Sequence, residues 1–534
     1  MEVNVKVISK SGIRTIVCRE NESLLEGLKG GNIYVPAYCG GRGTCKKCRI
    51  RVVEGQLKVT KADQEAFSEK ELKAGMRLSC FARPDQDCTI QLCTEDENDF
   101  EILTRGSEGK AEPDDGRNEK ALSLSEDERV GIAVDIGTTT IAMELVSLDQ
   151  GKVLCHDSRI NHQRAYGADV ISRIQASVDG AKDALKRSIG NDLLDGMDAL
   201  LKQADIPGER VEKIVVAANT TMCHLLMGYS CDTLGTAPFT PVNIGIIRTN
   251  LKKVLEPVLA ERNISPETEL IILPGISAFV GADIVAGLLA SDFDWEEGPS
   301  MLIDLGTNGE MVIGGKSGRI ATSTAAGPAF EGGNISWGTG SVSGAICAVS
   351  YDGTSMAWET IGGQPPVGIC GTGVLDITAE LVAHEIVDET GLLDEEYFDT
   401  GVEIAKREDG VPIVFTQKDV REIQLAKAAV RAGIQVLLKR YGVRCEDLQT
   451  VYLAGGFGFR LDVEKAISIG LLPEGFRGKI RIAGNSSLEG ARLCLLDEAN
   501  LQRAKHLALE TEEISLGNDP DFNEYYMDAM YFSY

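Results

Sequence analysis

Four cysteines near the start of the chain have a spacing that could bind a metal. The stretch YCGGRGTCKKC contains Cys39, Cys45 and Cys48 within ten positions, and 31 residues separate Cys48 from Cys80 in RLSC. Four thiolates can bind zinc or an iron–sulfur cluster, and a close pair can act as a redox dithiol. Zinc ribbons often use two C-x2-C knuckles, and here only Cys45 and Cys48 form one. The pattern favours an iron–sulfur cluster and leaves structural zinc and a dithiol as alternatives.

Glycines separate the first two of these cysteines. Gly40, Gly41 and Gly43 allow backbone N–H groups to turn inward toward ligand sulfurs, where hydrogen bonds stabilise a reduced cluster. The C-x5-C-x2-C loop with one distant cysteine resembles the [2Fe–2S] ferredoxins, whose plant-type members have one residue fewer in the first gap. The resemblance covers residues 1–95 and implies a β-grasp ferredoxin-like domain. The cluster ligands that it implies are Cys39, Cys45, Cys48 and Cys80.

Two later stretches each end a strand-like run with an aspartate and a Gly/Thr turn, DIGTTT at 135–140 and DLGTNGE at 304–310. The backbone N–H groups and small hydroxyls of such a turn can bind phosphate oxygens, and the carboxylate can hold Mg²⁺ or its waters. One turn of this kind has little specificity, because D-x-G turns are common in loops. Two in this order, followed by VYLAGGFGF at 451–459, are much more specific.

Together these three motifs resemble the phosphate-1, phosphate-2 and adenosine motifs of the actin, sugar-kinase and heat-shock ATPase (ASKHA) superfamily. The resemblance spans residues 129 to about 510 and implies two RNase H-like lobes with ATP and Mg²⁺ between them. It implies that Asp135 and Asp304 face the metal ion and the phosphates. The candidate nucleotide-binding residues are Gly137, Thr138, Thr139, Thr140, Gly306, Thr307, Asn308, Gly309, Gly327, Gly455, Gly456 and Phe457.

Other stretches near the expected cleft have two readings each. In AAGPAFEGGNIS (325–336), Glu331 is a candidate catalytic acid that positions water or metal, or an exposed loop glutamate. GICGTGVLD (368–376) predicts a Gly-rich turn before a helix over 375–384, where backbone amides could approach the nucleotide or simply pack tightly. Asn219 ends a strand beside the expected cleft. Asp283 near a helix start has either a capping role or a nucleotide role.

The elements that must position these residues follow from the hydrophobic pattern. Residues 1–95 contain strand-like segments at 3–9, 13–18, 48–54 and 88–93, and a helix over 23–29 with Ser23 as its N-cap. Residues 96–128 are polar and charged, which predicts a flexible linker. The strand–turn–strand units at 129–148 and 300–315 predict a duplicated domain. Helices are predicted at 169–178, 188–204 and 416–440.

These predictions define a multidomain α/β chain. Residues 1–95 form the ferredoxin-like domain and 96–128 the linker. Residues 129–205 form a middle domain that begins the first ATPase lobe, residues 206–515 the ASKHA-type ATPase domain, and 516–534 an acidic, aromatic tail. A length of 534 residues agrees with several domains.

Composition restricts the partners and the compartment. The chain has 54 basic and 81 acidic side chains, a formal charge of −27, which argues against nucleic-acid binding. No run resembles a membrane span, and the start MEVNVKVISK alternates like a strand instead of a secretory signal. The chain has fourteen cysteines, and we do not expect them to form a disulfide framework, because the cytosol keeps thiols reduced. We therefore predict a cytoplasmic protein with neither a nucleic-acid nor a membrane partner.

The combination of a ferredoxin domain, a linker, a middle segment and an ATPase domain resembles the reductive activators of corrinoid proteins. The resemblance covers nearly the whole chain. It implies ATP-dependent transfer of one electron through the [2Fe–2S] cluster to a corrinoid protein, which returns inactive Co(II) to Co(I) in a methyl-transfer pathway. It also implies an external low-potential electron donor and a homodimer. The chain is compact for that family, so the resemblance does not identify the corrinoid protein that is served.

Three alternatives share some of these motifs. Activators of 2-hydroxyacyl-CoA dehydratases are also actin-like, but bind a [4Fe–4S] cluster between two subunits through cysteines of the ATPase domain. A redox-regulated small-molecule kinase would transfer the γ-phosphate to an acceptor. A redox-gated binding protein would use ATP as a switch without turnover. The separate N-terminal cysteine motif weighs against the first alternative.

Overall fold

The computed structural model describes residues 2–9, 12–19, 21–31, 33, 35, 37, 41–43, 46–93, 128–256, 258–260, 262–295, 297–456 and 461–532. The linker predicted at 96–128 lies outside these residues except for Glu128, and so does Phe457. Within the described ranges, no helix is both long and apolar enough to cross a membrane.

The N-terminal domain is a five-stranded mixed sheet with three short helices among its described residues. Its elements are β1 (Glu2–Ser9), β2 (Gly12–Arg19), α1 (Leu24–Gly30), β3 (Arg49–Glu54), α2 (Lys61–Ala66), α3 (Glu69–Lys73), β4 (Met76–Leu78) and β5 (Cys88–Leu92). The strand order is β2-β1-β5-β3-β4, with β1 parallel to β5 and the other pairs antiparallel. Val3, Val5 and Val7 alternate with exposed residues along β1, so one face of the sheet forms the core.

The predicted elements of this domain are confirmed with small shifts at their ends. The helix begins one residue later than predicted, and the Ser23 side chain is its N-cap, accepting a hydrogen bond from the Glu26 amide at 3.2 Å. Capping of this kind satisfies an amide that the first turn leaves without a partner.

The first lobe contains a six-stranded sheet in the order β10-β11-β9-β6-β7-β8. Strands β6, β7 and β8 form an antiparallel meander, and β9 and β11 continue it in parallel. The sheet is continuous across residue 205, where the middle domain was predicted to end. Its elements are β6 (Val130–Ile136), β7 (Thr140–Ser147), β8 (Val153–Ile160), α4 (Val170–Ala176), α5 (Lys182–Ala204), β9 (Val211–Ala218), α6 (Thr220–Met227), β10 (Ile247–Asn250), α7 (Leu251–Leu255), β11 (Glu269–Ile272) and α8 (Ala282–Ala290).

The second lobe repeats this arrangement. Its main sheet has the order β21-β20-β12-β13-β14-β22, with an antiparallel meander β12-β13-β14 and parallel strands β20 and β21 beside β12. The predicted duplication is thus visible in the strand order. The elements are β12 (Ser300–Leu305), β13 (Gly309–Gly315), β14 (Gly318–Thr324), β15 (Ala345–Tyr351), β16 (Met356–Thr360), β17 (Gly368–Ile369), α9 (Gly371–Ala383), β18 (Val402–Lys406), β19 (Pro412–Phe415), α10 (Gln417–Tyr441), β20 (Val451–Ala454), α11 (Val463–Ser468), β21 (Ile480–Gly484), α12 (Ser486–Leu496), α13 (Glu498–Leu509), β22 (Thr511–Glu513) and α14 (Phe522–Asp528).

Two helices begin several residues earlier than predicted. The helix predicted from residue 188 begins at Lys182, after a turn in which Gly180 has φ +103°. The helix predicted from residue 375 begins at Gly371, so Gly371 and Gly373 belong to its first turn, and Gly368 precedes it in β17. Close packing applies to Gly373, where a Cβ would lie 2.2 Å from the Ile346 carbonyl oxygen, whereas Gly371 and Thr372 line the cleft between the lobes.

The two lobes meet where α8 crosses α12. A Cβ on Gly490 in α12 would lie 2.1 Å from the Ala286 carbonyl oxygen in α8, so the helices approach each other backbone to backbone. A hydrophobic cluster around this crossing takes residues from both lobes, including Val285, Leu302 and Leu488. The crossing therefore joins the lobes below the cleft that separates their hairpin turns.

The last described residues pack on α10. The buried Lys427 ammonium donates hydrogen bonds of 2.7 Å to the carbonyl oxygens of Ala529 and Tyr531 and lies 4.8 Å from the centre of the Phe532 ring. Lys439 pairs with Asp521 at 2.7 Å. The predicted tail is thus attached to the second lobe along its described length.

Candidate functional site

Two of the four predicted cluster ligands are brought together by the pairing of β3 with β4. Cys48 precedes β3 and Cys80 follows β4, and the antiparallel register pairs Arg49 with Leu78. The Cys48 and Cys80 Sγ atoms therefore lie 3.2 Å apart. Cys39 and Cys45 lie outside the described residues.

The surroundings of this pair fit an iron–sulfur centre. Gly41 and Gly43 have φ of +88° and +81°, a conformation that favours glycine, and a Cβ on Gly43 would lie 2.3 Å from the Phe81 ring. The hydrogen bond with Cys80 lowers the pKa of the Cys48 thiol to about 6, which favours the thiolate that binds metals. The described part of the loop therefore has the backbone shape and the sulfur chemistry that a cluster needs.

Other cysteines of this domain differ from that pair. Burial raises the pKa of both Cys18 and Cys88 to about 11, so each is a protonated thiol at neutral pH. Cys93 is exposed. All three fall outside the predicted ligand spacing, and none of them is brought to Cys48.

A cleft that is open to solvent, with a volume of about 1500 Å³ when that solvent is included, separates the two lobes. Both Asp-Gly-Thr turns open into it, because each turn joins the first two strands of its sheet at the same end. The predicted residues that line it are Asp135, Gly137, Thr138, Thr139, Thr140, Asp304, Gly306, Thr307, Asn308, Glu331, Gly455 and Gly456. Gly309 and Gly327, which were predicted to bind the nucleotide, are not among the described lining residues, and Phe457 is not described.

The first hairpin is tight, and its aspartate is held from the other end of the chain. The Gly137 amide donates to the Thr140 carbonyl at 2.8 Å, and a Cβ on Gly137 would lie 2.9 Å from the same oxygen. Asp135 accepts hydrogen bonds from the Asn485 amide group at 2.9 Å and the Ser487 hydroxyl at 2.8 Å. Burial raises the pKa of Asp135, and these two hydrogen bonds oppose the rise.

The second hairpin presents Asp304 beside the adenosine-type motif. The Gly306 amide donates to the Asn308 carbonyl at 3.0 Å, and β20 pairs Ala454 with Asp304. Gly455 follows with φ +93°, and a Cβ there would lie 2.7 Å from the Asp304 carboxylate. Glycine is therefore required where the backbone passes this carboxylate. Burial raises the pKa of Asp304 to about 8, and neighbouring carboxylates add to the rise.

Two more carboxylates face the same cleft. Burial and then the charge of Asp135 raise the pKa of Asp283 to about 7. Burial, followed by the charges of Asp283 and Asp304, raises the pKa of Glu310 well above its usual range. No lysine, arginine or histidine is among the described residues that line the cleft. The donor set is therefore oxygen-rich and short of positive charge, which fits a hard cation such as Mg²⁺.

Glu331 connects the two hairpins. Its Oε2 atom accepts a hydrogen bond from the Thr139 hydroxyl at 3.0 Å and from the Thr307 hydroxyl at 2.9 Å. Of the two readings of this residue, the structure places the carboxylate inside the cleft and not on an exposed loop. One acidic oxygen thus lies within reach of the phosphate-binding turns of both lobes.

Two cleft residues, Asn485 and Ser487, were not singled out by the sequence, whereas Asp283 and Asn219 were. Asn485 and Ser487 begin α12, where Asn and Ser are common for capping reasons alone. Asp283 does not cap α8, since Gly281 is the N-cap, and its side chain faces the cleft. Asn219 is the N-cap of α6 and also donates to the Thr138 hydroxyl at 3.2 Å.

Family models match the chain in three consecutive regions. A model of the 2Fe-2S iron–sulfur cluster binding domain matches residues 8–85. A model described as the RACo middle region matches residues 130–296, and one described as the C-terminal domain of RACo, the ASKHA domain, matches residues 298–534. These matches confirm the predicted fold class, an N-terminal ferredoxin-like domain followed by an ASKHA domain.

Similarity to individual proteins extends over nearly the whole chain. The corrinoid activation enzyme RamQ of Eubacterium limosum is 31% identical, over 92% of this chain and 92% of that protein. A Co(II) methylated amine-specific corrinoid protein reductase of Methanosarcina barkeri is 28% identical, over 74% of this chain and 76% of that protein. A solved structure of a reductive activator for corrinoid, iron–sulfur protein covers 99% of this chain and 98% of that one, with a TM-score of 0.69 and 28% identity. The chain belongs to the family of corrinoid activation enzymes, which is the family that its sequence motifs predicted.

Proposed function

We propose that this protein is an ATP-dependent reductive activator of a corrinoid protein. It transfers one electron through its N-terminal [2Fe–2S] cluster and returns inactive Co(II) to Co(I) in a methyl-transfer pathway. The observation that carries the proposal is the presence in one chain of a cysteine site fit for a one-electron cluster and a two-lobed acidic cleft fit for Mg-ATP. A single chain can then couple electron delivery to nucleotide hydrolysis.

The cysteine loop supplies the electron carrier. We assign Cys39, Cys45, Cys48 and Cys80 as ligands, and the paired sulfurs of Cys48 and Cys80 support this assignment. When bound, the cluster carries one electron without a proton. The loop glycines allow the backbone to lie close to the ligand sulfurs.

The cleft supplies the ATPase. Asp135 and Asp304 are assigned to Mg²⁺ and its waters, and a divalent ion would supply charge compensation to the phosphates and to these raised-pKa carboxylates. The hydroxyls of Thr139 and Thr307 would donate to phosphate oxygens. Glu331 is then released from both hydroxyls and is in place to orient the attacking water.

ATP is needed because reduction of Co(II) to Co(I) has a very low potential. A reduced ferredoxin domain alone is a poor reductant for that couple. Closure of the two lobes around ATP can shift the complex with the corrinoid protein toward the reducible state. The size of this shift is limited by the difference in the affinity of the nucleotide for the open and the closed lobes. Hydrolysis then releases the partner.

The test is anaerobic mixing of the protein with a Co(II) corrinoid protein and a strong one-electron donor, with and without Mg-ATP. Loss of the Co(II) absorption only with Mg-ATP is the expected result. The Cys45→Ala variant should not support it, whereas Cys93→Ala should, because Cys93 is an exposed thiol outside the ligand set. Equal reduction without ATP, or by Cys45→Ala, would contradict the proposal.

A further inference from the structure

Charge is distributed very unevenly along the chain. Residues 1–93 contain 16 lysine and arginine residues and 11 acidic ones, a formal charge of +5. The remaining residues contain 38 basic and 70 acidic residues, a formal charge of −32. The N-terminal domain is therefore cationic within a strongly anionic protein.

The positive charge is concentrated around the cysteine loop. From position 27 to position 53 the sequence contains six basic residues and no aspartate or glutamate. Three exposed residues of this region, Arg42, Lys46 and Arg49, lie close in sequence to predicted cluster ligands. A fourth exposed residue, Arg83, lies outside the region but only three positions after Cys80. The contact of Gly43 with the Phe81 ring brings the loop beside the segment that contains Cys80.

The hydrogen bonds described for Lys46, Arg49 and Arg83 go to neutral carbonyl groups. Hydrogen bonding lowers the pKa of the Glu71 carboxyl, and the charge of Arg49 also helps to lower it. Lys46 donates to the Glu65 carbonyl at 2.7 Å, and Arg49 to the Lys46 carbonyl at 3.1 Å. Arg83 donates to the carbonyls of Asn21 and Phe81, each at 3.2 Å. A backbone carbonyl orients a cation but leaves its net charge in place, so the field at Lys46 and Arg83 remains positive.

This face also stays exposed in the folded chain. The N-terminal domain touches the first lobe through Lys29, whose ammonium lies 5.2 Å from the centre of the Tyr166 ring. Lys46, Arg49 and Arg83 remain exposed with that contact present. Among the described residues, the two anionic lobes therefore do not cover the cationic surface around the cysteines.

We propose that this cationic face binds a small electron-carrier protein with an acidic surface, which is the direct electron donor. The inference rests on the proposed function, since an activator must be re-reduced after each electron that it delivers. One electron leaves the reduced carrier and one enters the cluster, with no bond formed and no proton transferred. Complementary charge raises the encounter rate and orients the two redox centres toward each other.

The sign of the salt dependence distinguishes this local surface from the charge of the whole chain. A formal charge of −27 predicts repulsion of an acidic donor, so that added salt speeds the reaction. A cationic docking face predicts attraction, so that added salt slows it. The probe is a reduced acidic two-[4Fe–4S] ferredoxin mixed in stopped flow with the oxidised full chain, without ATP or corrinoid protein.

We expect the bimolecular rate constant to fall with salt, and to fall about tenfold or more in the variant Lys46→Glu/Arg83→Glu at low ionic strength. The control Lys6→Glu/Arg14→Glu makes the same change of charge on β1 and β2, which lie on the other side of the sheet from β3 and β4. Its rate constant should stay near that of the unsubstituted protein. Calorimetric titration with the oxidised ferredoxin should show weaker binding by Lys46→Glu/Arg83→Glu than by the control variant or the unsubstituted protein. Should the first variant lose its cluster, Lys46→Gln/Arg83→Gln replaces it.

A rate that rises with salt, or an equal effect of both double variants, overturns the proposal. Docking of the face on the chain's own acidic lobes would give such a rise, because salt would release it. Reduction by methyl viologen radical, a small cation, should not slow in Lys46→Glu/Arg83→Glu. The assay contains no corrinoid protein, so a result that contradicts the docking proposal would not affect the outcome of the ATP-dependent Co(II) reduction test.

Discussion

The two Asp-Gly-Thr hairpins occupy equivalent positions in the two sheets, but they hold their aspartates differently. Asp135 in the first lobe accepts hydrogen bonds from Asn485 and Ser487, which come from the start of α12. Asp304 in the second lobe has no side-chain donor among the described residues and packs against the Gly455 backbone. The pKa of Asp304 is accordingly raised to about 8 by burial and nearby carboxylates.

This difference assigns different tasks to two residues that look identical in the sequence. Asp135 is fixed before any ligand arrives, as metal-site carboxylates commonly are when other side chains orient them. Asp304 has no such donor in the part of the chain that the structure describes, so a cation or a proton must compensate its charge. We infer that nucleotide-bound metal is the partner that Asp304 requires most.

The largest effect is expected for Asp304→Asn. Loss of this carboxylate removes one of the two proposed metal ligands, so ATP hydrolysis should fall by roughly 10²- to 10³-fold. Phosphate release under anaerobic conditions measures it, with the exposed turn variant Asp352→Asn as the control. Near-normal turnover in Asp304→Asn would show that the second hairpin does not act on the metal.

Glu331→Gln tests the residue that joins the two hairpins. The amide keeps the size of the side chain but cannot act as a base, so hydrolysis should fall by about 10²-fold. Nucleotide binding, measured by equilibrium titration, should be retained or tightened, since the bonds to Thr139 and Thr307 no longer involve a charged acceptor. A loss of binding with unchanged turnover of the bound nucleotide would instead indicate a purely structural link.

A smaller effect is expected when the support of Asp135 is removed. In Ser487→Ala one of its two donors is lost, and hydrolysis should fall about tenfold through weaker metal binding, the lower end expected for outer-shell partners. The readout is the Mg²⁺ concentration for half-maximal activity, which should rise. The neighbouring Ser486→Ala serves as the control, and an equal effect of both would remove the distinction between the hairpins.

The smallest effect concerns stability and pH. Between the unfolded pKa of aspartate near 4 and the folded value of about 8, the folded chain binds more protons at Asp304, so its contribution to stability falls as pH rises through this window. Asp304→Asn should therefore raise the melting temperature of the nucleotide-free and metal-free protein more at pH 8 than at pH 5, by a few °C. An equal shift at both pH values would contradict the raised pKa.

The turns of the cleft could be predicted because their chemistry is local. An aspartate, a glycine and a threonine at the end of an apolar strand are sufficient to identify Asp135 and Asp304. The same is true of the cysteine spacing, where C-x2-C with a distant cysteine predicted the N-terminal domain. The partners of Asp135 could not be predicted in this way, since 350 residues separate it from Asn485.

Gly327 and Gly309 show a second limit of predicting nucleotide-binding residues from the sequence. Both lie in small-residue stretches that look like nucleotide loops, yet Gly327 caps the turn that carries Glu331 and Gly309 pairs with Leu305 in the β12–β13 ladder. Glycine satisfies backbone conformation as often as it admits a ligand. Only tertiary position separates these two uses, and the sequence does not contain it.

The close crossing of α8 and α12 at Gly490 has a mechanical consequence. Where two backbones already touch, the lobes cannot come nearer, so relative motion near that point is a rotation about it. A rotation displaces each atom in proportion to its distance from the pivot. A closure of a few ångströms at the phosphate turns would therefore become a larger displacement at the outer ends of the lobes.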